Sequence, residues 1–415
     1  MEGKKHSWHG PKQIGLMIYT AVLFLIGTSI IGGNNNTVFP MFSEIRGWDI
    51  NIINVVSGFA CIAKAIGVLV LAGVVRRCGA KLLTAVTLFI SAALLIIFGT
   101  TQALPVFLIV ILIIGFLGGG YEKNGGMTLT ASWWPTKKGV VLGFTTMGIV
   151  AMNFVYVPMM PKLLGNLGLG MGMTVIAIIL VVVGIIGLLA VKNNPEEAGE
   201  YPDGDPTYAV NGADIQQMMK EYKSPFTFGK VLKDKNTWLI GVGSALAFLA
   251  VMSYIASAIP AMMSMGYEYG AATAIFAVGG IMGIIGSFIF GIIDQKAGTK
   301  KAFIGYFVFI IIGFLFLLAM PKGLVFCWLA GIIVFAAQGA LCNLLPSYVA
   351  TKYGRWDYTA GYQVIGTIFE IGAGVGVMMT GFFANYMTMY IFDLVILVIG
   401  LIFMIASSDK FIGKK

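Results

Sequence analysis

The sequence predicts an all-α integral membrane protein whose twelve transmembrane helices form two six-helix bundles. Composition is the first indication: the 415 residues are 58% hydrophobic and only 11% charged, whereas soluble domains carry about 25% charged residues. The second is a set of twelve apolar runs, each near the ~20 residues that a spanning helix needs. The third is the 55 glycines, which suit closely packed membrane helices better than the alternating strands of a β-barrel.

The twelve runs fall into two sets of six, separated by one long polar segment. The first set lies at about 13–39, 51–75, 80–100, 104–131, 139–163 and 169–191. The second set lies at about 236–264, 270–293, 301–320, 323–347, 359–384 and 387–408. The polar segment is rich in Pro, Gly and charged residues, as is typical of a solvated linker. We therefore predict a first bundle over 1–191, a cytoplasmic linker over 192–235 with a short amphipathic helix near 213–222, and a second bundle over 236–415.

The distribution of positive charge predicts that both chain termini lie in the cytoplasm. With a cytoplasmic N-terminus, 22 of the 27 Lys and Arg residues fall on the cytoplasmic side, three fall outside and two lie within helices. This is the positive-inside bias of membrane proteins, so the net charge of +9 reports topology and not a nucleic-acid partner. The basic start, MEGKKHSWHGPK, has no small-residue cleavage site after the first apolar run, so we interpret that run as a retained helix of the cell membrane.

Residues suited to catalysis or metal binding are few. Both histidines, His6 and His9, lie in the polar N-terminal tail, so neither a metal cluster nor a Ser/His/Asp set is expected within the membrane. The four cysteines have no paired spacing. The glycines at 118–120, 125 and 126 follow no strand, so they favour close helix packing or bending over a nucleotide loop. We expect a monomer in the lipid bilayer with no enzyme activity, no cofactor and no metal.

The two halves of the chain resemble each other. The fifth predicted helix begins GFTTMGIVAM (143–152), and the eleventh begins GYQVIGTIFE (361–370). The loops after the second and eighth helices, AGVVRRCGAK (72–81) and GIIDQKAGTK (291–300), also correspond. Repeats placed six helices apart indicate two bundles related by an axis along the membrane normal, with a cavity between them near mid-membrane.

The first of these loops resembles the conserved loop of the major facilitator superfamily, which reads G-x-L-A-D-R-x-G-R-K. Arg77, Gly79 and Lys81 are kept, whereas Arg76 replaces the aspartate and Ala72 replaces the first glycine. The layout of helices, over nearly the whole chain, is also similar to this superfamily. The resemblance implies a gating role for Arg77, Gly79 and Lys81.

The repeat of that loop in the second half is similar. It keeps Gly291, Gly298 and Lys300, and its acidic residue, Asp294, is displaced by one position. The resemblance implies that Asp294 and Gly298 take part in the corresponding gate.

Within the superfamily, the chain looks most like the oxalate/formate antiporter family and related monocarboxylate transporters. The stretches that carry this resemblance are TASWWPTKKGVVLGFTTMG (130–148), SPFTFGKVLKDKNTWL (224–239) and LLPSYVATKYG (344–354). The oxalate-type pattern places an arginine on helix eight and a lysine on helix eleven, but the matching positions here are Ser287 and Thr367. Two cations that clamp one dianion are therefore not expected, and a monocarboxylate held by a lysine fits better.

Four ionisable residues on three helices are predicted to reach the same depth. Lys64 lies twelve residues, or about 18 Å of helix, before the basic edge of helix two. Glu122 and Lys123 lie ~15 Å before a tryptophan pair, and Glu370 lies at similar depth in helix eleven. Because charges inside a membrane are costly and mark functional cavities, we predict that these residues line a polar cavity.

The roles predicted for these residues leave structural alternatives open. Adjacent helical residues point about 100° apart, so Glu122 and Lys123 are not expected to face the same way. We predict that Lys64 anchors the substrate with Lys123 in support, the alternative being that Lys64 only neutralises Glu122. Glu370 is predicted to carry the coupling proton, and Glu122 to serve structure, gating or coupling. For Glu370 the alternative is a carboxyl that is kept neutral or forms a salt bridge between helices.

Amides supply further candidate contacts. Three consecutive asparagines in IIGGNNNTVFP (30–40) would leave costly unpaired groups in lipid, so at least one is expected to face the cavity. Asn35 and Asn36 are the candidates for substrate contact, with helix packing as the rival role. Gln363, near the start of helix eleven, is the third candidate.

These observations predict a secondary transporter of a small organic anion that works by alternating access, coupled to protons or to a counter-substrate. The alternative is transport of amphipathic, zwitterionic or cationic organic compounds, because many aromatic and Met residues could line a greasy site. A channel is disfavoured, because the charges in the membrane are single and scattered and no pore loop is repeated along the sequence.

Overall fold

The computed structural model describes residues 9–134, 138–206 and 224–413. The first half contains α1 (Pro11–Ile31), α2 (Ile50–Val75), α3 (Arg77–Thr100), α4 (Leu104–Trp133), α5 (Lys138–Phe154) and α6 (Tyr156–Ala190). The second half contains α7 (Lys235–Ser264), α8 (Tyr269–Ala297), α9 (Thr299–Leu318), α10 (Leu324–Gly354), α11 (Ala360–Phe382) and α12 (Tyr386–Ala406). Two shorter helices, Val38–Arg46 and Phe228–Lys233, follow α1 and precede α7.

The helices confirm the all-α membrane fold. Within the described ranges, eleven helices are long and apolar enough to cross a membrane. The exception is α5, with 17 residues. The predicted helix over 139–163 is interrupted at Val155, and the chain turns at Gly168, whose φ of 76° lies in the region that favours glycine. Because residues 138–167 together are long enough for one further crossing, the arrangement is consistent with twelve.

Part of the polar segment between the halves differs from the solvated linker that the sequence predicts. Residues 192–206 pack back onto the first half: Lys12 Nζ donates to Ala198 O at 2.6 Å, and Trp133 Nε1 donates to Lys192 O at 3.1 Å. Pro202 and Asp203 are buried. Hydrogen bonds to this segment offset the cost of ordering it. The helix predicted near 213–222 lies outside the described residues.

The halves meet closely at the end of the molecule opposite both chain termini, which we call the far end. On α2 and α11, Gly58 and Gly374 face each other, and a Cβ on Gly374 would lie 2.8 Å from Gly58 O. Asn36 Nδ2 donates to Ile255 O of α7 at 2.6 Å. Small residues and side-chain amides are the usual means by which membrane helices approach and bind each other, so these contacts close the far end.

Candidate functional site

Glycines fix the position of Lys64 on α2 against α4. A Cβ added to Gly67 would lie 2.1 Å from Phe116 O, and one added to Gly119 would lie 2.6 Å from Lys64 O. No real side chain tolerates such distances, so the two backbones are in direct contact only because these positions lack a Cβ. Lys64 therefore starts close enough to α4 for its ammonium group to reach the acidic residue there.

The middle of α4 is wound more widely than an α-helix. Residues Gly119–Met127 form a π-helical segment that carries both Glu122 and Lys123. π-helical turns are rare and frequently occur at functional sites. The prediction that the glycines here serve close packing is confirmed: a Cβ on Gly125 would lie 2.0 Å from Thr84 Oγ1, and one on Gly126 would lie 2.9 Å from the Phe24 ring.

Four charged groups form one continuous chain of ion pairs. Lys64 Nζ lies 2.5 Å from Glu122 Oε2, Lys123 Nζ lies 3.4 Å from Glu122 Oε1, and Lys123 Nζ lies 2.9 Å from Glu370 Oε1. The depth argument predicts that these residues share one level, and here their charged groups lie within ion-pair distance of each other. The last pair joins the two halves, because Lys123 belongs to α4 and Glu370 to α11. Two positive and two negative charges sum to zero, so this chain of charges has no excess cation.

The members of the chain differ in exposure. The Glu122 side chain is 0% exposed, whereas those of Lys123 and Glu370 are 12% and 15% exposed. Glu122 also lies against α1, since a Cβ on Gly27 would be 2.2 Å from its Oε2. The ammonium of Lys123 lies 5.2 Å from the centre of the Phe24 ring, a distance at which the ring face attracts a cation. A small solute could reach Lys123 and Glu370 more readily than Glu122.

One expectation about these residues is wrong. Glu122 and Lys123 do not point away from each other, because their charged groups are 3.4 Å apart and both residues line the same cavity. The prediction assumes an α-helical turn and ignores side-chain length. The wider π turn brings neighbouring residues closer in direction, and the long lysine side chain covers the remaining distance.

A cavity surrounds the charge chain and is lined by both halves. The space open to the centres of water molecules is about 60 Å³, and about 10–15 Å³ holds one water. On its apolar side the rings of Phe248 and Phe369 stack at 4.1 Å. Its uncharged polar residues include Thr28, Thr146, Gln338 and Tyr362. The cavity therefore combines a charged centre with one greasy wall and a few hydroxyl and amide groups.

The amide candidates lie outside the cavity lining. Asn35 Nδ2 donates to Asn54 Oδ1 at 3.1 Å, and Asn36 contacts α7 as described above. The third asparagine, Asn34, accepts from Tyr156 OH at 2.7 Å. None of the three belongs to the cavity lining in this conformation, and each donates or accepts a hydrogen bond to another helix, although Asn36 Oδ1 has no partner among the described residues. A contact between one of them and the substrate stays a prediction. Gln363 is also absent from the cavity lining, whereas its neighbour Tyr362 is part of it.

The positions that carry cations in the oxalate-type pattern lie outside the cavity lining. Thr367 Oγ1 donates to Gln363 O at 2.6 Å, and Ser287 O accepts from Asn343 Nδ2 at 3.5 Å. Among the described residues that line the cavity, the cations are Lys64 and Lys123 of the first half.

The predicted gating loops have the geometry that their glycines suggest. Gly79 and Gly298 have φ values of 82° and 89°, which glycine adopts without strain. Lys81 N donates to Asn193 Oδ1 at 2.9 Å, and Ser347 Oγ donates to Asp294 Oδ2 at 2.5 Å, whereas Arg77 is exposed. The first loop thus contacts the segment after α6 and the second contacts α10.

Several residues that line the cavity are not predicted from the sequence. Gln338 and Tyr362 are polar residues inside predicted helices, which is a signal that could have identified them. Phe248 and Phe369 give no such signal, because aromatic residues face lipid as often as they face a cavity.

Asp393 on α12, a buried carboxyl within the apolar run IFDLVIL, is a further acidic residue of the second half.

Comparison with known proteins is consistent with this arrangement. A search of curated proteins gives no match to the chain. The sequence profile of the Major Facilitator Superfamily matches residues 20–377, a range that includes every member of the charge chain and both gating loops. With helices of spanning length, a close seam between two halves and a charged cavity between them, the chain belongs to the major facilitator superfamily and is a membrane transporter.

Proposed function

We propose that the protein is a secondary transporter of a small monocarboxylate, coupled to a proton through Glu370. The observation that supports this most directly is the ion pair between Lys123 and Glu370, which crosses from one half to the other inside the cavity. A substrate carboxylate has the same chemistry as Glu370. It would therefore compete with Glu370 for Lys123.

Charge balance links substrate binding to protonation. The four charged groups already sum to zero, so an added anion would leave a net negative charge in a poorly solvated site, which is costly. A proton on Glu370 removes one negative charge and frees Lys123. The substrate carboxylate then replaces Glu370 as the partner of Lys123, and the site stays neutral. Proton and anion would cross together without net charge movement.

The small size of the cavity and the closed far end support a small substrate. It would be taken from, or delivered to, the side on which the chain termini lie. The cavity holds only a few water molecules in this conformation, and the far end is closed by contacts between the halves. If the termini are cytoplasmic, as the charge distribution predicts, this conformation is closed to the outside. Alternating access would open the far end and close the terminal end around the same site.

Uptake into proteoliposomes tests this proposal. We expect an inward proton gradient to drive accumulation of a labelled short monocarboxylate without a change in membrane potential. Glu370→Gln should abolish the response to the proton gradient while exchange of labelled for unlabelled substrate continues. Glu268→Gln is the control, since it neutralises an exposed carboxyl of the second half that lies outside the cavity lining. A Glu370→Gln protein with the pH profile of the wild type would contradict the proposal.

A second candidate substrate class is an amphipathic cation or zwitterion. The stacked rings of Phe248 and Phe369 form one wall of the cavity, and Glu370 of the same helix as Phe369 is partly exposed. Aromatic faces and a carboxylate together attract organic cations. A thermal-shift panel of carboxylates, amines and amino acids separates the two classes, because stabilisation by amines alone would favour this candidate over the monocarboxylate.

A further inference from the structure

A second buried carboxyl lies outside the charge chain. Asp393 of α12 is 0% exposed. Its Oδ2 lies 2.5 Å from Ser253 Oγ of α7, and its Oδ1 has no hydrogen-bond partner among the described residues. One turn away, Tyr390 OH and Ser257 Oγ are 2.9 Å apart. The contact between α7 and α12 is therefore a small polar cluster inside the second half, separate from the residues that line the cavity.

The surroundings of Asp393 supply no positive charge. The helices packed against α12 are chiefly α7 and α9. The lysines of these two helices lie at the ends that face the chain termini, and they are Lys235, Lys300 and Lys301. The titratable residues in the buried parts of the three helices are tyrosines: Tyr254, Tyr306, Tyr386 and Tyr390. Within the described part of the chain, no ion pair includes Asp393.

An ionised carboxylate in such a place is unfavourable. One hydroxyl does not replace the hydration of a full charge, and a buried group in this position normally takes up a proton instead. A protonated carboxyl needs only one donor and one acceptor contact. Ser253 can provide either, because a hydroxyl both donates and accepts.

We propose that Asp393 is a second proton-binding site, which holds its proton in this conformation and stabilises the contact of α7 with α12. The same helix contributes Phe248 and Met252 to the cavity wall, and its Ile255 O accepts the hydrogen bond of Asn36 at the far end. Loss of the proton would place an uncompensated charge against α7. The site thereby makes the position of this helix sensitive to pH independently of Glu370.

Infrared difference spectroscopy of the purified protein tests the protonation directly. At about pH 7, wild-type protein minus Asp393→Asn should show the C=O stretch of a protonated carboxyl, which shifts in deuterated buffer. Ser253→Ala should move the same band to higher frequency, because the hydrogen bond to the carboxyl is lost. Glu370→Gln should leave the band in place, so this result does not depend on the proposed coupling role of Glu370.

Thermal stability supplies the second measurement. A carboxyl that is protonated only in the folded protein binds more protons in the native state, so its contribution to stability falls as the pH rises. Asp393→Asn, which mimics the neutral acid in shape but takes up no proton on folding, should fold and should melt at or above the wild-type temperature at about pH 7. Between about pH 7 and pH 9 it should lose fewer degrees than the wild type.

The proposal would be overturned if Asp393→Asn lacked a carboxylate band of the wild type and kept the wild-type C=O bands, because Asp393 would then be ionised in the wild type. A Ser253→Ala spectrum identical to that of the wild type would also overturn it, even if Asp393→Asn failed to fold.

Discussion

At the scale of single residues, the two lysines of the cavity are not equivalent. Among the ion pairs of the described residues, Lys64 takes part in one, with the fully buried Glu122, whereas Lys123 lies between Glu122 and the more exposed Glu370. If Glu370 takes up a proton, as we propose, a substrate can replace it at Lys123 without leaving a buried charge alone. Displacing Glu122 from Lys64 would leave a fully buried carboxylate with only the longer, 3.4 Å contact to Lys123. The geometry therefore favours Lys123 as the anchor, and the anchoring role predicted for Lys64 remains a prediction.

A double-mutant cycle distinguishes the roles of Lys64. Lys64→Ala alone should lower stability by up to roughly 3–5 kcal/mol, because the buried Glu122 then keeps only the longer, 3.4 Å contact with Lys123. If Lys64 only neutralises Glu122, the double variant Lys64→Ala/Glu122→Ala should regain much of the melting temperature and of the substrate uptake. Both quantities are measured for the two single variants and the double variant.

Lys123→Ala is the control for this cycle. It should lose substrate affinity by roughly 2–5 kcal/mol, or ~30- to several-thousand-fold, and Glu122→Ala should not restore it. Should the double variant of Lys64 and Glu122 recover its stability but not its affinity for substrate, Lys64 would be the anchor after all.

At the scale of helices, glycine positions determine how closely the halves approach. Gly58 of α2 and Gly374 of α11 let two backbones meet across the far-end seam, where a Cβ on Gly58 would lie 2.5 Å from Gly374 O. An added Cβ would overlap the facing backbone, and a gap of about 0.5–1 Å already loses roughly a quarter to a half of the dispersion attraction, so this closed seam depends on the absence of side chains. A small increase in side-chain volume at either glycine is therefore expected to disturb the seam.

Gly374→Val should shift the protein towards conformations in which the far end is open. Overpacking of this kind costs about 1–3 kcal/mol, and 1.4 kcal/mol changes an equilibrium tenfold. Cys61, which lines the cavity and is 7% exposed, is a native reporter. An impermeant thiol reagent added at the far-end side should label it several-fold faster in Gly374→Val.

Gly305→Val on α9 is the matched control, because a Cβ there meets nothing within 4 Å. Its labelling rate should equal that of the wild type. Equal rates in both variants would show that the seam does not control access to the cavity.

At the scale of the whole molecule, orientation in the membrane follows from charge and not from the fold. The same helices could be inserted in either direction, and the excess of Lys and Arg in the loops on one side selects the direction. Asp203 and Lys352 lie on the side predicted to be cytoplasmic, but both are buried, so they are poor positions for a labelling reporter. Lys296 and Lys322 are exposed and lie at opposite ends of the molecule.

Single cysteines at Lys296 and Lys322, in a protein whose native cysteines are replaced by serine, test the orientation. An impermeant maleimide should label Lys296→Cys only from the cytoplasmic side and Lys322→Cys only from outside. Transport by each variant is measured to establish that the labelled protein is folded. Labelling in the reverse pattern would invert the orientation.

The sequence by itself determined the membrane class, the two-fold layout and the depth of the buried charges. These follow from properties that act along one helix: a run of apolar residues sets a span, and a rise of 1.5 Å per residue sets a depth. Lys64, Glu122, Lys123 and Glu370 could therefore be assigned to one level without any knowledge of neighbours.

Only the tertiary structure decided which group each charge contacts and which polar residues reach the cavity. Rotation about the helix axis depends on contacts with other helices, so Asn35 and Asn36 turn to neighbouring helices although their sequence suits the cavity equally well. The π-helical turn that brings Glu122 and Lys123 together has no periodicity of its own in the sequence. Which charged groups pair at equal depth depends on the distances between helices. The pattern of residues along the chain does not contain those distances.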